Sequence, residues 1–160
     1  MNETQFDSFY QSSFTRIVGQ IYALCGNLQS AQDATQEAFV RAWDKRGKLR
    51  SADSPEAWVR TTAYRIAVSE WRSMKRAQRQ PDRAVEYRRP AEPNPNAVAL
   101  AAALAKLPSD QRRALVLYHM CDLSVAQVAK EVGAPEGTVK ARLSRGRQAL
   151  AALLGQEARV

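Results

Sequence analysis

"GAPEGTVKARLSRGRQAL", Gly133 to Leu150, is the stretch whose reading decides the fold. It carries Lys140, Arg142, Arg145 and Arg147 on what its periodicity predicts to be a long helix, yet it opens on Gly-Ala-Pro and has a further glycine at 137. Pro135, with its fixed φ, suits the first position of a helix, and Gly133 suits the tight turn before it, where φ must be positive. Just upstream, in "LSVAQVAKEV", Ser124 is placed to cap a short helix that turns Val125, Val128, Ala129 and Val132 inward. Ala129, Gly133 and Val139 then supply a small residue where two helices cross, a turn glycine and an apolar anchor on the second helix. That is the spacing of a helix-turn-helix unit. Taken alone, it leaves open a helical hairpin with no role at DNA.

The faces of the second helix narrow the choice. Val139, Leu143, Gly146, Leu150 and Leu154 are predicted on its core side, and Gly137, Ala141, Ser144, Arg145 and Gln148 on the other. A helix shaped only for solubility is usually covered by Glu and Lys pairs. Here small side chains flanked by Lys140, Arg142 and Arg147 let the backbone approach a duplex closely. Gly137 and Thr138, in the first turn, offer backbone N–H groups and a hydroxyl to a phosphate. Lys140, Ala141, Ser144 and Arg145 are the candidates for base edges, and Thr138, Arg142 and Arg147 for phosphates, with Arg142 equally able to lie along the core.

Outward from this unit the chain stays helical and basic. Twenty-four Lys and Arg against sixteen Asp and Glu leave a formal charge of +8, which favours a polyanionic partner. Phe6, Phe9, Tyr10, Phe14, Ile17, Ile21 and Tyr22 recur at helical spacing, with Gly26 placed to end that helix. A second helix, "SAQDATQEAFVRAW", is predicted with Ser30 as its cap and Gly47 as its stop, and a third from Ser54 and Pro55 to about Arg79. Prolines 81, 90, 93 and 95 then interrupt the pattern in a segment nearly free of aliphatic side chains, which reads as a linker over 79–96. "NAVALAAALAKL" and "SDQRRALVLYHM" predict two more amphipathic helices before the helix-turn-helix. The expected architecture is all-α: a helical bundle over 1–78 and a second helical domain over 97–160.

Several functions are excluded at this stage. The N-terminal segment lacks the charged and apolar regions of a secretory leader, and no apolar run is long enough to span a bilayer, so a cytoplasmic location without membrane insertion is expected. Cys25 and Cys121 are far apart, without CxxC spacing, and read as buried thiols; His119 has no partners at metal spacing and reads as structural. No carboxylate pair, metal cluster or nucleophile and base combination points to an enzyme, and neither cofactor nor metal is expected.

"DATQEAFVRAW" (Asp33 to Trp43), "SPEAWVRTTAYRIAVSEWRSMKR" (Ser54 to Arg76) and "LAKLPSDQRRALVLYHMCDLSVAQVAKEVGAPEGTVKARLSRGRQAL", in this order, resemble the extracytoplasmic function (ECF) group of bacterial sigma factors. These are the smallest sigma-70 proteins, which keep only regions 2 and 4. The resemblance implies that residues 1–78 form region 2, which docks on the β′ clamp helices of core RNA polymerase, opens the minus 10 promoter element and holds its non-template strand. It implies that 97–160 form region 4, which reads the minus 35 element as duplex, and that the β subunit flap and an anti-sigma factor are further partners.

By that resemblance Asp33, Gln36, Glu37 and Arg41 are polymerase-docking candidates, although the same residues also suit a solvated face, while Phe39 and Trp43 suit the core. Trp58, Thr62, Arg65, Ser69, Arg72 and Arg76 recur on one side of the third helix, apart from the stripe of Val59, Ala63, Ile66, Ala67 and Met74. An aromatic followed by hydroxyls and cations suits single-stranded DNA, by base stacking and contact with the backbone. Trp58 as a core residue beside solvated arginines is the alternative. The loop from Leu49 to Ser54 is where related proteins accept a flipped base. Many members carry Asn where Arg65 stands and an acid where Ser69 stands. A stand-alone helix-turn-helix regulator and an adaptor for an acidic protein are the rival readings.

Overall fold

A computed structural model of the chain describes residues 1–49, 54–77 and 94–158, with side chains described except at 71, 72, 74–77 and 156–158. Among these residues all regular structure is helical, and the chain divides into two compact units, Met1–Pro93 and Asn94–Val160.

In the first unit α1 (Glu3–Cys25), α2 (Leu28–Asp44) and α4 (Pro55–Ala77) pack on one another, with α3 (Arg46–Leu49) a single turn after α2. α1 starts at a capping box between Asn2 and Gln5 and ends at Gly26, whose φ of 76° makes the left-handed stop that its position predicts. The side of α2 facing the core is almost all alanine: Ala31, Ala34, Ala38 and Ala42 are fully buried. Side chains this small let α1 and α4 close on α2, bringing Ile17 and Ile21 from one side and Val59, Ala63 and Ala67 from the other. The exceptions are Thr35, fully buried with its hydroxyl donating to the Ala31 carbonyl at 2.7 Å, and Phe39, buried among the rings of Phe9, Tyr10 and Phe14 at centroid distances of 5.4, 5.0 and 6.0 Å. Such aromatic pairs add roughly 0.5–1.5 kcal/mol beyond the area they bury.

Two helix ends differ from the sequence expectation. α2 begins at Leu28, capped by the Asn27 side chain, which accepts from the Ser30 N–H at 2.9 Å. Ser30 therefore lies in the first turn, because Asn is an equally good cap and stands three residues earlier. Gly47 does not stop α2 either; the helix breaks at Lys45 and Gly47 lies inside α3. α4 starts as predicted, with Ser54 Oγ accepting from the Ala57 N–H at 3.1 Å. Its expected end near Arg79 and most of the 79–96 linker lie outside the described residues. The last three residues of that segment are described, and they open α5: Asn94 caps the helix and Pro95 is its first residue.

The second unit contains α5 (Pro95–Ala105), α6 (Ser109–Leu115), a π-helical turn (Val116–Met120), α7 (Val125–Val132) and α8 (Glu136–Ala158). "SDQRRALVLYHM" is thus not one regular helix. The turn carries an extra residue and closes with the Cys121 N–H on the Val116 carbonyl at 3.1 Å, keeping Val116 and Leu117 buried while His119 and Met120 face outward. Arg112 joins α5 to α6 by donating to the carbonyls of Leu104 at 2.9 Å and Leu107 at 3.0 Å, at and just beyond the end of α5. α7 has a Ser124 and Gln127 capping box and ends at Gly133, φ 70°, whose N–H reaches the Ala129 carbonyl at 2.9 Å. Pro135 stands at the boundary of α8, its carbonyl accepting from Val139 at 3.1 Å. Cys25 and Cys121 are half-buried rather than buried, one in each unit.

Candidate nucleic-acid interface

α8 is held by one narrow stripe. Val139, Leu143 and Gly146 are buried, and at Gly146 an added Cβ would lie 2.9 Å from Leu115 Cδ1, so the glycine is what lets α8 approach α6 this closely. Gly137, Thr138, Lys140, Ala141, Ser144 and Arg145 are all exposed, turned away from that stripe. Lys140 and Arg145 take part in no ion pair among the described residues, so the face is basic and unneutralised. The other two expected residues are engaged within the unit, one on each flank of α8. Arg142 pairs with Asp110 of α6 at 3.5 Å. Arg147 donates from Nε to His119 Nε2 at 3.1 Å and lies 5.3 Å from the centroid of the Tyr118 ring.

Beside Arg147 opens an apolar groove of about 330 Å³, walled by Leu100 and Leu104 of α5, Met120, and Leu150 and Leu154 of α8. Met120 and Leu154 are 40% and 41% exposed. The periodicity of α8 had assigned Leu150 and Leu154 to the core, and the amphipathic pattern alone does not separate a filled groove from an open one.

In the first unit, Gln36, Glu37 and Arg41 are exposed on α2 and Asp33 is half-buried beside them. Glu37 and Arg41 pair one turn apart at 3.2 Å, and Asp33 accepts from Gln29 Nε2 at 2.9 Å. Val40, which the sequence reading passed over, stands in their midst with 58% of its surface exposed. An apolar side chain on the polar side of "QEAFVRAW" was the available signal. It borders an open groove of about 520 Å³ walled by Phe6, Tyr10, Phe39 and Trp43. Phe39 itself is buried, and Trp43 is half-buried under the Arg46 guanidinium, 4.0 Å from the ring centroid.

On α4, Trp58 and Thr62 are half-buried while Arg65 and Ser69 are exposed. The side chains of Arg72 and Arg76, and the loop residues 50–53, lie outside the described set. Trp58, Thr62 and Arg65 face Arg41, Asp44 and Lys45 of the end of α2 across a cleft of about 340 Å³. Arg41 thus borders both the docking candidates and the α4 candidates, and Asp44 and Lys45 join a cleft that sequence had assigned to α4 alone. Glu70, next to Ser69, has its carboxyl pushed above the ordinary range, mainly by partial desolvation and secondly by the charge of Asp33. Arg60, one residue beyond Val59, is buried.

Comparison with known proteins covers both units. Residues 9–77 match the family described as Sigma-70 region 2, and residues 97–150 the family described as Sigma-70, region 4. The chain is 30% identical over 140 residues to the ECF RNA polymerase sigma factor SigC of Mycobacterium tuberculosis, covering 84% of this chain and 76% of that protein. It is 32% identical over 136 residues to the ECF RNA polymerase sigma factor EcfG of Rhodopseudomonas palustris, covering 82% and 75%. In fold it is similar to the sigma factor RpoE of Bartonella quintana, solved in complex with the anti-sigma factor NepR, with a TM-score of 0.77 at 23% identity over 94% of this chain and 97% of that one. A second likeness of fold, TM-score 0.66 at 22% identity over 97% and 90%, is to CnrH in complex with the cytosolic domain of CnrY.

Proposed function

The chain belongs to the sigma-70 family, among the ECF RNA polymerase sigma factors that direct promoter-specific initiation, and from that premise we propose how its exposed faces divide the work. The observation that carries the proposal is the face of α8. A helix held by Val139, Leu143 and Gly146 leaves Gly137, Thr138, Lys140, Ala141, Ser144 and Arg145 together at the surface, small residues beside unpaired cations. This face reads the minus 35 duplex, with Arg145, Ser144, Ala141 and Lys140 toward base edges and Gly137 and Thr138 against phosphate. Arg142 and Arg147, bound within the unit, hold the helix.

Residues 1–78 serve as region 2. Trp58, Thr62, Arg65 and Ser69, continued along α4 by Arg72 and Arg76, receive the melted non-template strand of the minus 10 element. Asp33, Gln36, Glu37 and Arg41, around exposed Val40, dock on the β′ clamp helices, and the apolar groove of 97–160 takes the β flap. An apolar side chain ringed by polar ones suits a protein partner better than it suits DNA. The segment 79–96 joins two readers whose separation core polymerase fixes. The solved likenesses with bound anti-sigma factors support such a partner here, covering the polymerase-docking faces. The protein supplies no catalytic group, since polymerase makes the RNA, and it works in the cytoplasm. No helix among the described residues is long and apolar enough to cross a membrane.

Run-off transcription with purified core polymerase over a library of candidate promoters tests the whole reading. Initiation confined to a subset sharing minus 10 and minus 35 elements is expected. Core polymerase that starts equally with and without the protein would overturn it.

A further inference from the structure

We propose that His119 positions the recognition helix by holding Arg147 through its ring nitrogen. The proposal rests on the reading of α8 as the helix that faces DNA, and it concerns how that helix is kept in place.

α8 is tied laterally on both sides of its buried stripe. On one flank Arg142 meets Asp110, an ion pair of opposite charges at 3.5 Å. On the other flank Arg147 has no carboxylate partner among the described residues. Its Nε–H donates to His119 Nε2 at 3.1 Å, its guanidinium lies 5.3 Å from the Tyr118 ring centroid, and the Tyr118 and His119 rings meet edge-on at 4.9 Å. The π-helical turn is what presents these two residues outward, toward a helix far along the chain. Arginine is always a donor, so Nε2 must be the unprotonated ring nitrogen, with the ring proton on Nδ1.

The groove wall around the pair is aliphatic, from Leu100 and Leu104 of α5 and Leu150 and Leu154 of α8, so those side chains offer the guanidinium no other acceptor. Without the His119 ring, Arg147 loses the acceptor of its Nε–H, and Ser144 and Arg145 lie within one turn of it on the exposed face of α8. His119 is therefore a positioning residue for the minus 35 face.

The pin can be observed without DNA. In the 15N-labelled chain, the Arg147 Nε–H should be protected from exchange relative to that of exposed Arg145 at the same pH. In His119→Gln, whose side-chain carbonyl can accept, the protection should remain, and in His119→Ala it should be lost. A wild-type Arg147 signal no more protected than that of Arg145 overturns the proposal and leaves the reading of α8 intact. With core polymerase and a promoter from the run-off library, the preference for an intact over a scrambled minus 35 element should fall about two- to tenfold in His119→Ala, the range of one lost hydrogen bond, and stay level in His119→Gln. An equal fall in both variants, or none in either, overturns the coupling. A wild-type holoenzyme with no minus 35 preference overturns the reading of α8, and the proposal with it.

Discussion

Arg145 lies among Ala141, Ser144 and Gln148, all exposed, so its guanidinium can reach past short neighbours to the edge of a base. Its planar fork matches the two acceptors of guanine in the major groove. Arg145→Ala should relax discrimination at one or two minus 35 positions by about 1–3 kcal/mol, measured as relative binding of single-base variants by the holoenzyme. An equal loss on every sequence would reassign Arg145 to phosphate. Glu70 is a second residue whose chemistry comes from its surroundings. Its carboxyl is raised by desolvation and by Asp33, so the ionised form is disfavoured in the folded chain relative to the unfolded one. That penalty is fully present above the raised folded value and fades as pH falls through it. Glu70→Gln should therefore stabilise the first unit at neutral pH by about 0.5 kcal/mol, the scale of a solvent-screened charge pair, and the gain should vanish on acidification through the carboxylate range. Denaturant midpoints of both proteins at several pH values check this. Arg145 was legible in the sequence because helical periodicity puts it opposite Leu143 and Gly146. The raised Glu70 was not, because Asp33 belongs to a different helix.

Helix α8 shows how one residue type does different work along a single element. Gly137 has nothing within 4 Å of where a Cβ would be, whereas at Gly146 that Cβ meets Leu115 Cδ1 at 2.9 Å and Cγ at 3.1 Å. Replacing an exposed helical glycine by alanine gains about 0.5–1 kcal/mol of helix stability. Gly137→Ala should therefore raise the melting temperature while weakening minus 35 binding, since the new methyl lies on the face that approaches DNA. Gly146→Ala should lower it, because overpacking a closed core costs about 1–3 kcal/mol, more than the propensity gain. Thermal melts of the two variants separate these outcomes. At the end of α5, Arg112 bonds to the carbonyls of Leu104 and Leu107, and Arg112→Ala should destabilise the second unit by about 1.5–3 kcal/mol. Arg112→Lys should recover only part of that in the same denaturation assay, since an ammonium cannot reproduce the guanidinium fork. Capping and turn residues such as Ser54, Ser124 and Gly133 were legible because their partners lie within four residues. Arg112 was not singled out, because its acceptors lie five and eight residues away across a helix boundary, and Ser30 was taken for a cap that Asn27 provides.

At the scale of the molecule, two readers joined by one segment gain from being on the same chain. Once core polymerase has bound one unit, engagement of the other is intramolecular, which raises overall affinity by about 10²–10⁴. Supplying residues 1–78 and 97–160 as separate chains to core polymerase should cost promoter-dependent initiation in that range, and restoring the intact chain should restore it in the run-off assay. The amino-acid sequence by itself determined the class and its order: an all-α chain, a helical bundle followed by a helix-turn-helix, with the outward face of α8 already defined. Those features rest on local spacing, capping and periodicity, which act within a few residues. Tertiary structure alone decided which charged and apolar groups are in use. It tied Arg142 to Asp110 and Arg147 to His119, buried Arg60, left Val40 and Met120 at the surface, and brought Arg41, Asp44 and Lys45 across from Trp58. The physical reason is that periodicity says which way a side chain points, but only packing between distant segments says what it meets there.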